Sequence, residues 1–203
     1  MRIYLIRHSE SIDDIEDCYG GIADFDLSEA GRKKVEEYEI KNLGIEKIYS
    51  SPYKRAYQTA EILNKKLNVD LEVIYNIREC NSYGILSGVN KEKAKEIFSY
   101  VFNMPEYKKT GYYLGTSFLG GEEIKNFDER VEKGIKEIIE KSKNLDTISI
   151  VTHGGVYRSI YKNIFKINKK IEELEDLATT ELEYENGKFT ILNKKGLTFG
   201  DII

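Results

Sequence analysis

The sequence predicts an α/β fold, a three-layer αβα sandwich built on a mainly parallel sheet. Short apolar segments typical of strands alternate along the chain with longer amphipathic segments typical of helices. This alternation indicates parallel strands joined by helices that cover both faces of the sheet. Near the carboxyl end, strand-like residues instead flank Asn186-Gly187, a favoured two-residue turn, which predicts an additional C-terminal β-hairpin.

The first part of the chain contains three predicted strands and two predicted helices. Ser28 is a suitable N-cap for the first helix, which is expected to end near Gly44. Apolar residues at helical spacing predict the second helix. The predicted strands are residues 2–6, 45–51 and 71–75, and the predicted helices are residues 28–44 and 53–68.

The second part predicts a long amphipathic helix, a fourth strand, a further helix and the hairpin. One face of the long helix carries Ile124, Phe127, Val131, Ile135 and Ile138. These elements are expected at residues 121–142, 147–153, 154–165 and 181–192. The segment 80–120, rich in Tyr and Gly, is predicted to be irregular and to form a lid or insertion. We expect residues 1–203 to form a single domain.

Composition excludes several classes of protein. A chain of 203 residues with 40% hydrophobic and 33% charged residues is typical of a globular protein. A net charge of −4 provides no general attraction for nucleic acid or anionic membranes. Cys18 and Cys80 form neither a disulfide framework nor a metal-ligand cluster. We therefore expect a cytoplasmic protein with no nucleic-acid or membrane partner, either a monomer or a homodimer.

Polar residues that carry chemistry follow the predicted strands. The only two histidines, His8 and His153, each come directly after a strand. Arg7 precedes His8, and Arg55 lies in the segment that Ser51 begins after the second strand. The carboxyl ends of parallel strands meet at one edge of an α/β sheet, where ligands bind. The sequence therefore predicts a polar site at this edge.

Together with Glu79, these residues form a set that suits phosphoryl transfer, although no single one of them indicates that chemistry by itself. A neutral imidazole can attack phosphorus, and a guanidinium group binds phosphate oxygens without losing its charge. A carboxylic acid can protonate the leaving oxygen. The backbone N–H at Gly154, at the start of a predicted helix, adds an anion donor. With two arginines neutralising the phosphoryl charge, no metal or other cofactor is required.

Five segments, in order from Arg2 to about Ile160, resemble the histidine phosphatase superfamily, specifically its phosphoglycerate mutase-like branch. They read LIRHSES, YSSPYKRAYQTAEIL, IREC, GGEE and VTHGG. The resemblance implies a phosphoglycerate mutase-like fold and a small-molecule phosphomonoester as the ligand. It assigns His8 as the phosphorylated nucleophile and Glu79 as proton donor to the leaving group and then base for water. It implies that the phosphoryl group is bound by Arg7, Arg55, His153 and Gly154, with Ser11 as a further phosphate-binding residue and Glu122 supporting the pocket.

Two residues depart from the family pattern. Ser9 stands where the family usually has glycine, and a positive φ there would cost about 1 kcal/mol. Asp14 stands where an asparagine commonly donates to phosphate, and an ionised carboxylate would repel the ligand. We expect the first to strain the loop only if position 9 must adopt a positive φ. For the second, either Asp14 points away, or substrate affinity is modest, or the local path of the chain differs.

Three functions remain open on the sequence, with a phosphomonoester hydrolase favoured. A mutase is the alternative, since YGILSGVNKEKA and DFDLSEAG resemble mutase segments. Mutases, however, carry a longer basic insertion and a covering tail, whereas the segment 80–120 contains lysines but no arginine pair and the chain ends soon after its hairpin. A member that binds a phosphorylated partner without catalysis is the third reading. Sugar phosphates, phosphoglycerates, phosphoserine and a ribazole phosphate are all candidate ligands.

Overall fold

The computed structural model describes residues 1–105 and 119–202, and these contain a six-stranded mixed sheet. The strands are β1 (Arg2–Arg7), β2 (Lys47–Ser50), β3 (Asp70–Val73), β4 (Thr147–Thr152), β5 (Lys169–Glu185) and β6 (Lys188–Ile202). Their order across the sheet is β3-β2-β4-β1-β5-β6. The first four strands in that order run parallel, and β5 is antiparallel to both β1 and β6. The predicted mainly parallel sheet with a C-terminal hairpin is confirmed.

Helices lie between the strands in the described part of the chain. They are α1 (Ile12–Ile15), α2 (Glu29–Glu37), α3 (Lys54–Leu67), α4 (Lys91–Ile97), α5 (Ser99–Phe102), α6 (Ile124–Lys141) and α7 (Gly154–Ser159). A π-helical turn, Ile160–Ile164, continues α7, and 3₁₀ turns occupy Lys41–Leu43, Tyr75–Ile77 and Gly84–Leu86. None of the described helices is long and apolar enough to cross a membrane.

The two faces of the sheet bury separate apolar clusters, as alternation along a strand requires. Ile3 and Leu5 of β1 point into a core that they share with Ile135 of α6 and Tyr157 of α7. The next residue, Ile6, points the other way into a core with α2 and α3. Helices therefore cover both faces, which confirms the predicted three layers.

The hairpin is confirmed, and its strands are longer than the sequence predicts. Asn186 and Gly187 have φ values of 50° and 80°, the left-handed conformation at both turn positions that this turn requires. Residues 169–180 also belong to β5, although their charged, irregular pattern does not indicate a strand. Pairing with β6 stabilises them, and shifts of register near Leu177 bend the strand over the carboxyl edge of the sheet.

The helix predicted to reach Gly44 ends earlier, at Glu37. The prediction was wrong because tertiary contacts replace the last turns. Lys66 of α3 donates through Nζ to the carbonyls of Val35 and Tyr38, at 3.1 and 2.8 Å, and so satisfies the end of α2. The chain then turns to bury Ile40 in the second core.

The segment 80–120 is partly regular, which corrects the prediction that it is irregular. A 3₁₀ turn, α4 and α5 lie in its described part and enclose a small core of Leu86, Ala94 and Val101. Residues 106–118, which include three of the five tyrosines of this segment, lie outside the described residues. The lid, like the single domain over residues 1–203, stays a prediction.

We predict that Gly134→Ala in α6 destabilises the protein by about 1–3 kcal/mol, as overpacking does. An added Cβ would lie 2.9 Å from atoms of both Asn76 and Ile77, in the turn that leads to Glu79. Alanine ordinarily stabilises a helix relative to glycine by up to about 1 kcal/mol. A lower stability of the Gly134→Ala protein would therefore indicate the close packing at this position. Urea unfolding followed by circular dichroism measures the change. Lys133→Ala, at the exposed neighbouring position, is the control, and a more stable Gly134→Ala protein would contradict the packing.

Candidate active site

The carboxyl ends of β1, β2 and β4 bring two histidines and a serine together. The three strands are neighbours in the sheet, so the residues that follow them, His8, Ser51 and His153, meet at one edge. The two imidazole centroids are 5.1 Å apart, and Nε2 of His153 lies 2.7 Å from Oγ of Ser51. Both rings are buried. The structure thus creates the histidine pair that the sequence predicts at this edge.

The hydrogen bonding of His8 fixes its tautomer. Its Nδ1 lies 2.7 Å from the carbonyl oxygen of Ser9, and a carbonyl can only accept, so Nδ1 carries the proton. Burial lowers the pKa of His8 well below its ordinary value of 6.5, and the charges of Arg55 and Arg7 lower it further. The imidazole is therefore neutral, with its lone pair on Nε2. This is the protonation state that a nucleophilic histidine needs.

Arg7 and Arg55 line a cavity of about 640 Å³ together with His8 and Glu79. Arg55 donates to the carbonyl oxygens of Ala23 and Gly21, at 2.8 and 2.9 Å, so its guanidinium group is held in place by neutral acceptors. Arg7 donates through Nη1 to the carbonyl of Leu174, and its buried Nε has no hydrogen-bond partner. Within residues 1–105 and 119–202, no carboxylate forms an ion pair with either arginine. Two positive charges are left available to an anion.

Glu79 presents its carboxylate to the same cavity beside the first turn of α7. Oε2 accepts from the backbone N–H of Gly155 at 3.0 Å, and Oε1 accepts from Cys80 N at 2.8 Å. A Cβ at Gly155 would lie 2.2 Å from Oε1. Position 155 must therefore be glycine for the carboxylate to take this place. Gly154, which also lines the cavity, begins the same helix.

Arg130 of α6 holds the backbone around Glu79, and the sequence analysis missed it. Its guanidinium group donates to the carbonyls of Asn76, Arg78 and Glu79 at 2.8–3.0 Å. It also pairs with Glu122 through two hydrogen bonds of 2.6 and 2.8 Å. Burial raises the pKa of Glu122, but the hydrogen bond and charge of Arg130 outweigh it, so the net pKa is lowered and the carboxylate stays ionised. Arg130 stands within the apolar stripe of α6, an unusual position for a charge that could have identified it.

His153 lies behind His8 and is not among the residues that line the cavity. It is fully buried, its Nε2 is engaged by Ser51 and its Nδ1 has no partner. Burial lowers its pKa well below 6.5, and the charge of Arg55 adds to this effect. The sequence predicts that His153 binds the phosphoryl group, and Nδ1 is the nitrogen left for such a contact.

Ser9 and Ser11 lie in the loop after β1. Ser9 is not among the residues with positive φ, so the expected backbone strain is absent, and its N–H donates to Oγ1 of Thr59 at 3.2 Å. Ser11 does not line the cavity, because its hydroxyl donates to Asp13 at 2.6 Å inside the loop. Serine is thus tolerated after His8, and the hydroxyl of Ser11 supports the loop, while its predicted contact with phosphate stays a prediction.

Asp14 lines the cavity but is engaged at the start of α1. Its Oδ2 accepts from the backbone N–H of Ser11 at 3.0 Å, the capping interaction typical of the third helical position. The charge that could repel a ligand is thereby partly offset. Among the described residues, no group of three or more His, Cys, Asp or Glu side chains could hold a metal ion.

Comparisons with known proteins agree with the resemblance and the fold that the sequence predicts. The model of the histidine phosphatase superfamily (branch 1) matches residues 3–195. Phosphoglycerate mutase-like protein 4 of Arabidopsis thaliana is 29% identical over 195 residues, which cover 93% of this chain and 82% of that protein. Phosphoserine phosphatase 1 of Hydrogenobacter thermophilus is 34% identical over 167 residues, 79% of this chain and 74% of that protein. The crystal structure of phosphoglycerate mutase from Bacillus anthracis has a TM-score of 0.78 at 21% identity, covering 95% and 91% of the two chains, which confirms the predicted fold.

We predict that both histidines of the ligand-free protein remain neutral well below pH 6.5, and that His8 carries its proton on Nδ1. Long-range ¹H–¹⁵N NMR spectra measure both properties, and His8→Gln assigns the signals because the chain has only two histidines. Since the unfolded chain binds more protons below pH 6.5, the free energy of unfolding should also fall as the pH drops through this range. A His8 midpoint at or above 6.5, or a proton on Nε2, would contradict the geometry.

Proposed function

This chain belongs to the histidine phosphatase superfamily, and we propose that it is a phosphatase that hydrolyses small phosphomonoesters through a phosphohistidine on His8 without a metal ion. The observation that carries the proposal is the state of His8. A neutral imidazole with its lone pair on Nε2 shares one cavity with two arginines that have no carboxylate partner among the described residues, and with Glu79.

In the first step, Nε2 of His8 attacks phosphorus while the bond to the ester oxygen breaks. Arg7 and Arg55 bind the phosphoryl oxygens, whose charge they neutralise as the transition state forms. Glu79, in its protonated form, donates to the departing oxygen, so that an alcohol and not an alkoxide leaves. The imidazole that remains carries the phosphoryl group on Nε2 and its proton on Nδ1, held by the Ser9 carbonyl.

In the second step, the Glu79 carboxylate takes a proton from water as the water oxygen attacks phosphorus. Inorganic phosphate leaves, and His8 returns to its neutral state with Glu79 protonated again. The N–H of Gly155 and the clamp by Arg130 keep the carboxylate in place through both steps. We assign Gly154 N–H and Nδ1 of His153 as further contacts of the phosphoryl group.

A mutase is the second candidate, since one relative is named as mutase-like and another as a phosphoserine phosphatase. Hydrolysis is favoured by the residues that segment 80–120 brings to the cavity. In its described part, Lys91 is the cation that lines the cavity, and its Nζ is already paired with Asp17 at 2.5 Å. No basic group from these residues is left to hold a substrate for transfer back. We also place the protein in the cytoplasm, where Cys18 and Cys80 stay free thiols.

We predict that a phosphoryl group can be trapped on His8 during turnover. Protein mixed with ³²P-labelled substrate, treated with a chelator and quenched in base within milliseconds should carry label that is stable to base and labile to acid. Peptide mass spectrometry should place it on His8. His8→Ala should lose both the label and turnover while keeping the circular dichroism spectrum of the parent protein.

The same experiment separates the alternatives. Release of inorganic phosphate, followed by ³¹P NMR, identifies a hydrolase, whereas an isomerised phosphate ester identifies a mutase. Label on His153, normal turnover by His8→Ala, or a strict need for an added divalent ion would each overturn the proposed mechanism.

We predict that Glu79→Gln slows phosphorylation of His8 by alkyl phosphates by about 10²–10⁴-fold, the usual range for general acid–base catalysis. An aryl phosphate such as p-nitrophenyl phosphate should lose clearly less, because its leaving group needs little protonation. Single-turnover rates are the measurement, since Glu79 also acts in the second step. Glu10→Gln, which removes a carboxylate that does not line the cavity, is the control. Equal losses for both esters would show that Glu79 only shapes the pocket.

A further inference from the structure

Arg158 and Lys162 stand on one side of the catalytic cavity with no counter-ion. They are four residues apart, on α7 and the π-helical turn that continues it, and both line the cavity. In the part of the chain that the structure describes, no carboxylate lies within ion-pair distance of either side chain. The proposed mechanism uses neither residue.

The guanidinium group of Arg158 lies close to the proposed phosphoryl site. Measured from the position that a Cβ of Gly154 would occupy, Arg158 Nη1 is 3.1 Å away and Arg7 Nε is 4.0 Å away. These distances limit the separation of the two nitrogens to about 7 Å. A ligand with its phosphoryl group on Arg7 therefore lies within reach of Arg158.

A second cavity, of about 350 Å³, continues from the same two side chains. Besides Arg158 and Lys162 it is lined by Lys169 and Lys170, and none of its lining residues is acidic. Tyr161, Ile167 and Ile171 form its apolar part. Four like charges around one cavity repel one another, and an anion bound there relieves that repulsion.

Two carboxylates also line this side of the catalytic cavity and must be weighed against the cations. Asp128 accepts a hydrogen bond of 2.6 Å from the hydroxyl of Ser159, and Glu172 stands on β5. Neither is paired with Arg158 or Lys162, and neither lines the second cavity. No described carboxylate forms an ion pair with Arg158 or Lys162, although Asp128 and Glu172 reduce the net positive charge on this side of the catalytic cavity, and the excess of positive charge lies at the second cavity.

We propose that the leaving group of the natural substrate carries a second acid group, a carboxylate or a second phosphate, which Arg158 and Lys162 bind. The proposal rests on the proposed function and specifies the substrate class of that same site. A guanidinium group suits either acid group, because it presents paired donors to two oxygens. The acid group lies within a few bonds of the ester oxygen, as the closeness of Arg158 to Arg7 requires. Lys169 and Lys170 draw the group toward the second cavity.

Matched substrates test the proposal directly. 3-Phosphoglycerate and glycerol 3-phosphate have the same number of carbons and differ in a carboxylate against a neutral CH₂OH group. Propane-1,3-diol bisphosphate and its monophosphate provide the same contrast for a second phosphate. We expect kcat/KM to be about 10-fold or more higher for the acidic member of at least one pair, the scale of a hydrogen bond between charged groups. The pair that shows the preference identifies the acid group.

The variants Arg158→Gln and Lys162→Gln should each reduce this preference, the former by about 10-fold, through a larger loss for the acidic member than for the neutral member. Added salt should reduce it as well, since both side chains are exposed. Lys65→Gln, which removes an exposed and unpaired charge from α3 on the opposite face of the sheet, is the matched control and should leave the preference unchanged.

Each remaining outcome contradicts the proposal. If the parent protein has the same kcat/KM for both members of each pair, the proposal is overturned. Hydrolysis of all four esters would still support the phosphatase function. Equal losses for both members in Arg158→Gln would show that Arg158 binds the phosphoryl group instead. If none of the esters, p-nitrophenyl phosphate included, phosphorylates His8, then the proposed function itself fails.

Discussion

Arg55, which is buried, and Arg7, which is half-buried, lie beside a neutral imidazole with no carboxylate partner among the described residues, and the rest of the site is arranged around this constraint. A buried charge costs several kcal/mol unless polar groups surround it. Here carbonyl oxygens do so. Arg55 is held by the loop that carries Gly21 and Ala23, and Arg7 by Leu174 at the bend of β5. Because the acceptors are neutral, the positive charge is not cancelled, and it both lowers the pKa of His8 and attracts an anion.

The position of Glu79, the proposed catalytic carboxylate, depends on an ion pair between two other residues and not on neutral carbonyl groups. Among the described residues Glu79 forms no ion pair, whereas the ion pair between Arg130 and Glu122 acts on the backbone that carries Glu79. Because Arg130 contacts the backbone carbonyl of Glu79 and not its carboxylate, the position of Glu79 is fixed while its carboxylate oxygens stay free of a cation. Gly155 completes the arrangement, since only the absence of a Cβ allows the carboxylate to approach the first turn of α7.

The residues proposed for phosphoryl chemistry and those proposed for substrate choice occupy different parts of one cavity. The proposed phosphoryl contacts come from the ends of β1 and β4 and from α3, which the sheet positions rigidly. The groups on the side of Arg158 come from a short helix, its π-helical continuation and the first residues of β5. Arg158 and Lys162 are exposed on these elements, so their side chains can vary without removing the contacts that hold His8 and Arg7. The same chemistry can therefore serve different leaving groups.

The sequence by itself determined the sheet, its helices, the hairpin and the family, because hydrophobic periodicity, the Asn186-Gly187 turn and the segments around His8, Arg55 and His153 are local signals. It also indicated that His8 and His153 meet, since the ends of parallel strands coincide. The tertiary structure decided what depends on distant contacts. The early end of α2 depends on Lys66, the bend of β5 depends on its pairing with β6, and the role of Arg130 depends on carbonyls more than 50 residues away in the chain. The backbone of Ser9 is unstrained, and the hydroxyl of Ser11 bonds to Asp13 within the loop. Both depend on neighbours that only the folded chain brings together.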